Sequence, residues 1–336
     1  CEKSPISNTP SRTEELSMGK TKVQKPPIVM AAKSKNPMAF LKRDWQLYAM
    51  LLIPVALVII FNYAAYPGLR MAFMDYKPSK GYSGSEWVGM KTFAKIFKDA
   101  DFARALRNSI VFNLLDLLVG FPMPIILALM LNELRYQKFK KVSQTILYLP
   151  HFLSWAIVGS VALTMFMPST GLVNVLLENL GIGNGKFPFL NEKWHWAVTY
   201  LLIGVWQSMG WGTILYLAAI TGINGELYEA AMIDGANRWK RMWHITLPGI
   251  KSTVVTLLIM NLGRVMGSNL ERLKAFENSM VKDFQYQLAI YVYNKGLGNN
   301  KYSMATAVGL FQSLVGLVLV ILSDRIAKKL GEDGLL

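Results

Sequence analysis

Few side chains in this sequence have the types and neighbours that bond-making chemistry needs. The three histidines, His151, His195 and His244, lie on separate stretches with no Cys, Asp or Glu at metal-ligand spacing. The single cysteine, Cys1, excludes an internal disulfide, a thiolate zinc cluster and a Cys-x-x-Cys redox pair. No G-x4-G-K-[ST] phosphate loop occurs. The stretch Gly181-Ile182-Gly183-Asn184-Gly185-Lys186 lacks its spacing and its hydroxyl, and reads as a flexible loop. No metal or cofactor is therefore expected on this chain. What remains is the chemistry of recognition. Asp116 and Arg264 are full charges inside otherwise uncharged runs, so they are expected to face a bundle interior, paired with each other or lining a wet path. Trp206, Gln207, Trp211, Asn261, Arg264, Asn269 and Gln312 supply the aromatic faces, amides and guanidinium that a polar passage requires. Each would serve equally well in holding neighbouring helices together. Gly204, Gly210 and Gly212 read as points of close helix approach.

The elements that must position these groups are long apolar runs. Of 336 residues, 52% are apolar and 17% charged, well below the roughly 25% charge of a soluble domain. About 20 apolar residues at 1.5 Å rise cross the hydrocarbon of a bilayer. Tyr48 to Tyr66 passes that test, and further spans are expected near 108–132, 146–168, 196–220, 250–270 and 302–323, the fifth interrupted by Arg264. Six transmembrane helices follow, an all-α integral membrane fold. Trp45, Tyr63, Tyr66, Trp194 and Trp196 fall where interfacial aromatic rings are expected.

The net charge of +15 raises the question of a nucleic-acid partner, but the basic residues are dispersed between the apolar runs. Segments on the amino-terminal side of the membrane hold 20 Lys and Arg against 15 on the other, so both termini are expected in the cytoplasm. Residues 1–44, rich in Lys, Ser, Pro and Thr, read as a basic disordered tail that suits an anionic lipid surface. Residues 45–107 carry the first span and an outer segment, in which Phe93, Ile96, Phe97 and Ala100 recur at helical spacing. Those four fit an interfacial helix or an ordinary helix covering the outer face. Residues 108–324 hold the remaining spans, and 325–336 form a second tail.

One loop has a grammar of its own. Asn224 is a good N-cap, Glu226 complements the helix dipole and Gly235 can supply a left-handed stop, predicting a helix from about Gly225 to Asp234. Leu227, Ala230 and Ala231 share one face. Thr246 is expected to cap the next span, with Pro248 in its first turn.

Glu229-Ala230-Ala231, then Gly235 after three residues, then Ile245-Thr246-Leu247-Pro248 after nine more, resembles the EAA loop of bacterial ABC-importer permeases, EAA-x3-G-x9-I-x-LP. The stretches 120–129, 148–155 and 305–313 are similar to permeases of complex-sugar importers, the LplB-like group, and the likeness extends over roughly 48–336. The resemblance implies a type I (MetI-like) permease bundle in the bacterial cytoplasmic membrane. It would move an oligosaccharide or polysaccharide fragment by alternating access. Glu229, Ala230, Ala231, Gly235, Ile245, Leu247 and Pro248 would form the loop that couples it to ATPase subunits. The implied partners are a second permease, two ATP-binding subunits that hold the ATP and magnesium, and an extracellular solute-binding protein. The seven polar and aromatic residues named above would then line a sugar pathway. A secondary transporter driven by an ion gradient is the competing class, with Asp116 as its one ion or proton site.

Overall fold

The computed structural model describes residues 44–182, 184–332 and 334–335. The basic tail expected over 1–44 lies outside them except for Asp44. The described residues up to Ala64 form a unit of their own. Within it, helix α1 (Trp45–Val58) continues into a π-helical turn (Ile59–Tyr63), and neither buries a side chain. A helix apolar all round with no buried face is what a lipid-facing span requires.

The second unit begins at Ala65. A 3-10 helix (Tyr66–Phe73) leads to a two-stranded antiparallel ribbon, β1 (Met74–Asp75) and β2 (Glu86–Trp87), with Met74 opposite Trp87. Helix α2 (Lys91–Phe97) carries the Phe93/Ile96/Phe97 stripe. Ile96 is fully buried, in one cluster with Ala72, Phe102, Leu288, Tyr291 and Val308, so α2 packs on the bundle through that residue, while Phe97 stays exposed. Then come α3 (Ala100–Gly120), α4 (Pro122–Asn132), α5 (Gln137–Tyr148), α6 (Trp155–Phe166), α7 (Leu172–Asn179) and α8 (Lys193–Thr221). Helices α9 (Gly225–Ile233), α10 (Lys251–Gly263), α11 (Leu270–Ala275), α12 (Leu288–Tyr293) and α13 (Tyr302–Lys329) complete the set used below.

Helix α8 is the axis of the unit: α3 and α4 pack along it, while α10 packs against α13. Two glycines set how near its neighbours come. A Cβ at Gly210 would collide with the Leu147 carbonyl, and one at Gly212 would meet the Pro124 ring at 2.9 Å. Trp196, expected at a membrane border, is instead wholly buried. Its indole N–H donates to the Phe276 carbonyl (3.1 Å) and its ring stacks on Tyr200.

Among the described residues, four helical stretches are long and apolar enough to cross a membrane: Trp45–Phe73, Ala100–Asn132, Lys193–Thr221 and Tyr302–Lys329. The count rises to six if each of two bent pairs is one crossing. The expected span over 146–168 is the first such pair, bent by 99°. Pro150 opens a 3-10 turn (Leu149–Phe152), Leu153 and Ser154 are extended, and the Ser154 hydroxyl caps α6 by accepting from the Ile157 N–H. The span expected over 250–270 ends at Gly263. Arg264 is the residue that closes α10, and the chain then turns before α11.

Candidate functional site: a polar cavity and an exposed coupling helix

Helix α9 forms where the local sequence demands it. Asn224 accepts from the Glu226 N–H (3.0 Å) and its amide donates to the Glu226 carboxylate (3.1 Å). At the other end Gly235 takes φ +74°, its N–H donates to the Met232 carbonyl (3.1 Å), and the Ala236 N–H reaches back to Ala231 (2.8 Å). That pair of bonds is a Schellman stop, open to glycine because it lacks a Cβ. No residue of α9 is buried. Leu227, Met232 and Ile233 are exposed, Ile233 at 88%, and Glu229 and Ala230 lie open beside them.

A side-chain contact ties this helix to the segment that follows it. The hydroxyls of Tyr228 and Thr246 lie 3.0 Å apart. Thr246 therefore does not cap the following helix as its position suggested; its backbone is helical, at the end of a π-helical turn (Met242–Thr246). The wider turn accommodates Pro248, which has no N–H to donate backwards. Ile245 and Leu247 are half-buried, and Leu247 packs with Ile250 beneath the loop, while Pro248 is exposed.

Deeper in the unit lies a cavity of about 540 Å³ between α3, α4, α8 and α10. Its charged lining residues are Asp116, Arg264 and Arg272. Asp116 pairs with Arg272, not with Arg264: Nη1 of Arg272 lies 2.7 Å from one carboxylate oxygen and Nη2 3.4 Å from the other. Nη2 also donates to the Tyr200 carbonyl (2.7 Å), and the guanidinium carbon stands 3.9 Å from the Tyr200 ring centroid. Arg272 lies just beyond the span expected over 250–270. It turns inward because α11 packs against α6 and buries Leu273 completely. The apolar spacing of Leu270, Leu273 and Phe276 around Arg272 was the available signal. The fourth group at this junction is Gly204, whose missing side chain leaves the space the guanidinium occupies.

Three of the seven pathway candidates line the cavity: Trp211, Asn261 and Arg264. Trp211 is joined by His151, whose ring stacks on it at 4.8 Å and 9°. The Asn261 amide donates to the Leu257 carbonyl (2.8 Å). Three others make structural bonds instead. Gln207 is buried and points at the His151 carbonyl (3.4 Å), Asn269 caps α11 by accepting from the Arg272 N–H (2.9 Å), and Gln312 donates to the Met266 carbonyl (2.7 Å). Trp206 is exposed on α8 and is not part of the lining. Asn113, which the sequence reading passed over, lines the cavity and donates to the Val265 carbonyl (2.7 Å). Among the described residues no cluster of His, Cys, Asp and Glu is arranged to hold a metal ion.

A helical membrane bundle with a polar cavity between its helices, and a short apolar helix standing clear of its core, is the architecture of a permease. Residues 120–332 match the family described as binding-protein-dependent transport system inner membrane component. The protein LplB of Bacillus subtilis is 42% identical over 309 residues, covering 92% of this chain and 96% of its own. The polygalacturonan/rhamnogalacturonan transport system permease protein YteP of the same organism is also 42% identical, covering 92% and 95%. Among solved structures, a bacterial ABC transporter that imports the acidic polysaccharide alginate has a chain 38% identical with a TM-score of 0.77, covering 87% of this chain and 98% of that one. The alginate transporter in complex with an alginate pentasaccharide-bound periplasmic protein gives 37% and 0.78. The chain belongs to this family: it is a MetI-like ABC-transporter permease subunit, an inner-membrane component of a binding-protein-dependent transport system.

Proposed function

We propose that this chain is one permease of an ATP-driven importer that carries an oligosaccharide or polysaccharide fragment inward by alternating access. A second permease, two ATP-hydrolysing subunits and a solute-binding protein complete it. Two similar proteins, named for polygalacturonan/rhamnogalacturonan and for alginate transport, support a polymer-derived sugar as the cargo. The single observation that carries the reading is α9, a capped helix with no buried residue, whose Leu227, Met232 and Ile233 are all exposed. The unit itself leaves Leu227, Met232 and Ile233 uncovered, whereas a partner groove that received the helix would bury them. At roughly 25 cal/mol per Å² of apolar area, burying those side chains contributes several kcal/mol to docking.

In this reading the loop is cytoplasmic and ATP-driven closure of the partner subunits pulls on α9. The Tyr228–Thr246 contact passes that movement to α10, which borders the cavity. The coupling is a linkage between two global states, and the permease does no bond chemistry. Asp116, the one ion site an ion-driven carrier would have used, is already neutralised by Arg272. Purification from membranes should bring an ATPase and a second permease with this chain, and Glu229→Lys should lose the ATPase while the chain still inserts. Normal ATP-dependent uptake in that variant would overturn the coupling role of α9.

A further inference from the structure

We infer that Arg264 selects acidic sugars: its guanidinium reads the carboxylate of a uronate residue in the cavity. This rests on the permease reading above and names the substrate class of the same cavity.

The argument begins with charge. The lining holds three charged side chains, and two of them cancel, since Asp116 is bound by Arg272. Arg264 has no ion-pair partner among the described residues; of the other titratable lining side chains, His151 carries no negative charge in any state and Tyr216 is a neutral phenol at physiological pH. The cavity therefore presents one uncompensated positive charge. Its walls otherwise suit a sugar ring. The His151/Trp211 stack offers an aromatic platform, and Asn261, having used one N–H on Leu257, keeps its side-chain carbonyl oxygen and its second N–H for hydroxyls.

The second observation is how Arg264 is held. Unwound backbone at membrane depth is tolerated where it lines a cavity and its polar groups are satisfied. Here Asn113 of α3 accepts that duty for the Val265 carbonyl and Gln312 of α13 for the Met266 carbonyl, while the Gly267 N–H donates to Arg264 itself (2.8 Å). The backbone beside Arg264 is pinned from two helices, yet its side chain is exposed. A fixed base with an unpaired guanidinium is an arrangement for a ligand that arrives and leaves. Arginine meets a carboxylate with two parallel N–H donors, a geometry neither a neutral hexose nor its hydroxymethyl group can reproduce.

The test uses the complete importer purified with its partner subunits. Binding of tetramers of galacturonate and of mannuronate, each also in fully methyl-esterified neutral form, is titrated by tryptophan fluorescence without the binding protein. The wild type should bind at least one acid tetramer about tenfold or more tightly than its ester. Arg264→Gln should abolish that preference by weakening the acid while leaving the ester within about twofold, and Arg264→Lys should keep part of it. Raising salt should weaken the acid alone. The wild-type comparison needs no variant to fold. Equal binding of acid and ester by the wild type overturns the inference, as does an equal loss of both in Arg264→Gln. A complex that shows no ATP-dependent uptake of any sugar with a loaded binding protein would instead overturn the permease reading.

Discussion

Gly204→Ala is a one-carbon change whose cost should come from a residue 68 positions away in the chain. A Cβ there would overlap Nη2 and Cζ of Arg272 and come within 2.8 Å of Nη1. The guanidinium has little room to yield: Arg272 is 8% exposed, stacked over Tyr200 and bonded to the Tyr200 carbonyl and to Asp116. Displacing it forfeits two charge-assisted hydrogen bonds at about 1.5–3 kcal/mol each, about 3–6 kcal/mol in sum. Replacing glycine inside a helix returns about 0.5–1 kcal/mol. The net expectation is a loss of about 2–5 kcal/mol. Methionine at 272 removes the obstacle, so in an Arg272→Met background the same Gly204→Ala change should be neutral or stabilise by up to about 1 kcal/mol. Equilibrium unfolding in mixed micelles, run on all four proteins, measures the coupling directly, and a coupling of about 3–6 kcal/mol is expected. An equal cost of Gly204→Ala in both backgrounds would refute the reasoning, because the glycine would then be serving some contact other than Arg272.

Two further expectations concern the ends of the unit. Gly235 has a left-handed backbone with open space around it, so Gly235→Val should cost about 1–2 kcal/mol through backbone strain alone, and Gly235→Asn much less. The measurement is ATPase co-purification, which the valine variant should lower and the asparagine variant should keep. Near α3, Lys295 stands 3.0 Å from Asp99 and 3.3 Å from Asp101, and Tyr291 donates to Asp99. Burial by itself would raise the Asp99 carboxyl, but the bonds from Lys295, the Asp101 N–H and Tyr291 outweigh it and hold it below its ordinary 3.8. Burial would lower the Lys295 amine, but its two acidic partners hold it above 10.5. A depressed acid contributes stability above its unfolded pKa and loses it as pH falls through the folded one. A raised base contributes below its unfolded pKa and loses it as pH rises through the folded one. Unfolding across pH should show a plateau between about 3.8 and 10.5, and Asp99→Asn should flatten its acid limb.

What the sequence made legible was local. The stop at Gly235, the cap at Asn224 and the helix between them depend on residues within one turn of each other, and all three are present as the spacing required. The long apolar stretches at 193–221 and 302–329 were equally plain, because composition alone decides whether a helix of that length is stable in lipid. Breaks were harder to see. Leu149-Pro150-His151-Phe152 sits inside an uncharged run, and hydropathy is silent about a 99° bend that the 3-10 turn and the Ser154 cap impose. Thr246 has the type and position of a cap, but a hydroxyl 18 residues earlier in the chain claims it.

The pairing of Asp116 shows why the centre of the site was not legible. Arg264 and Arg272 are eight residues apart, and hydropathy favours Arg264, the one inside the apolar run, while the apolar spacing around Arg272 is a fainter signal. The choice is made by α11 folding back beside α6, which sends Arg272 past Gly204 to the carboxylate and leaves Arg264 at the closed end of α10. An intramembrane charge is costly, but cost alone does not say which of two cations is neutralised. The consequence reaches function. Had Asp116 paired with Arg264, the cavity would have been neutral, with Arg272 facing outward. Because it pairs with Arg272, the structural need of the bundle is met by a cation that is buried and fixed, and the one left over stands on a pinned backbone at the edge of the passage.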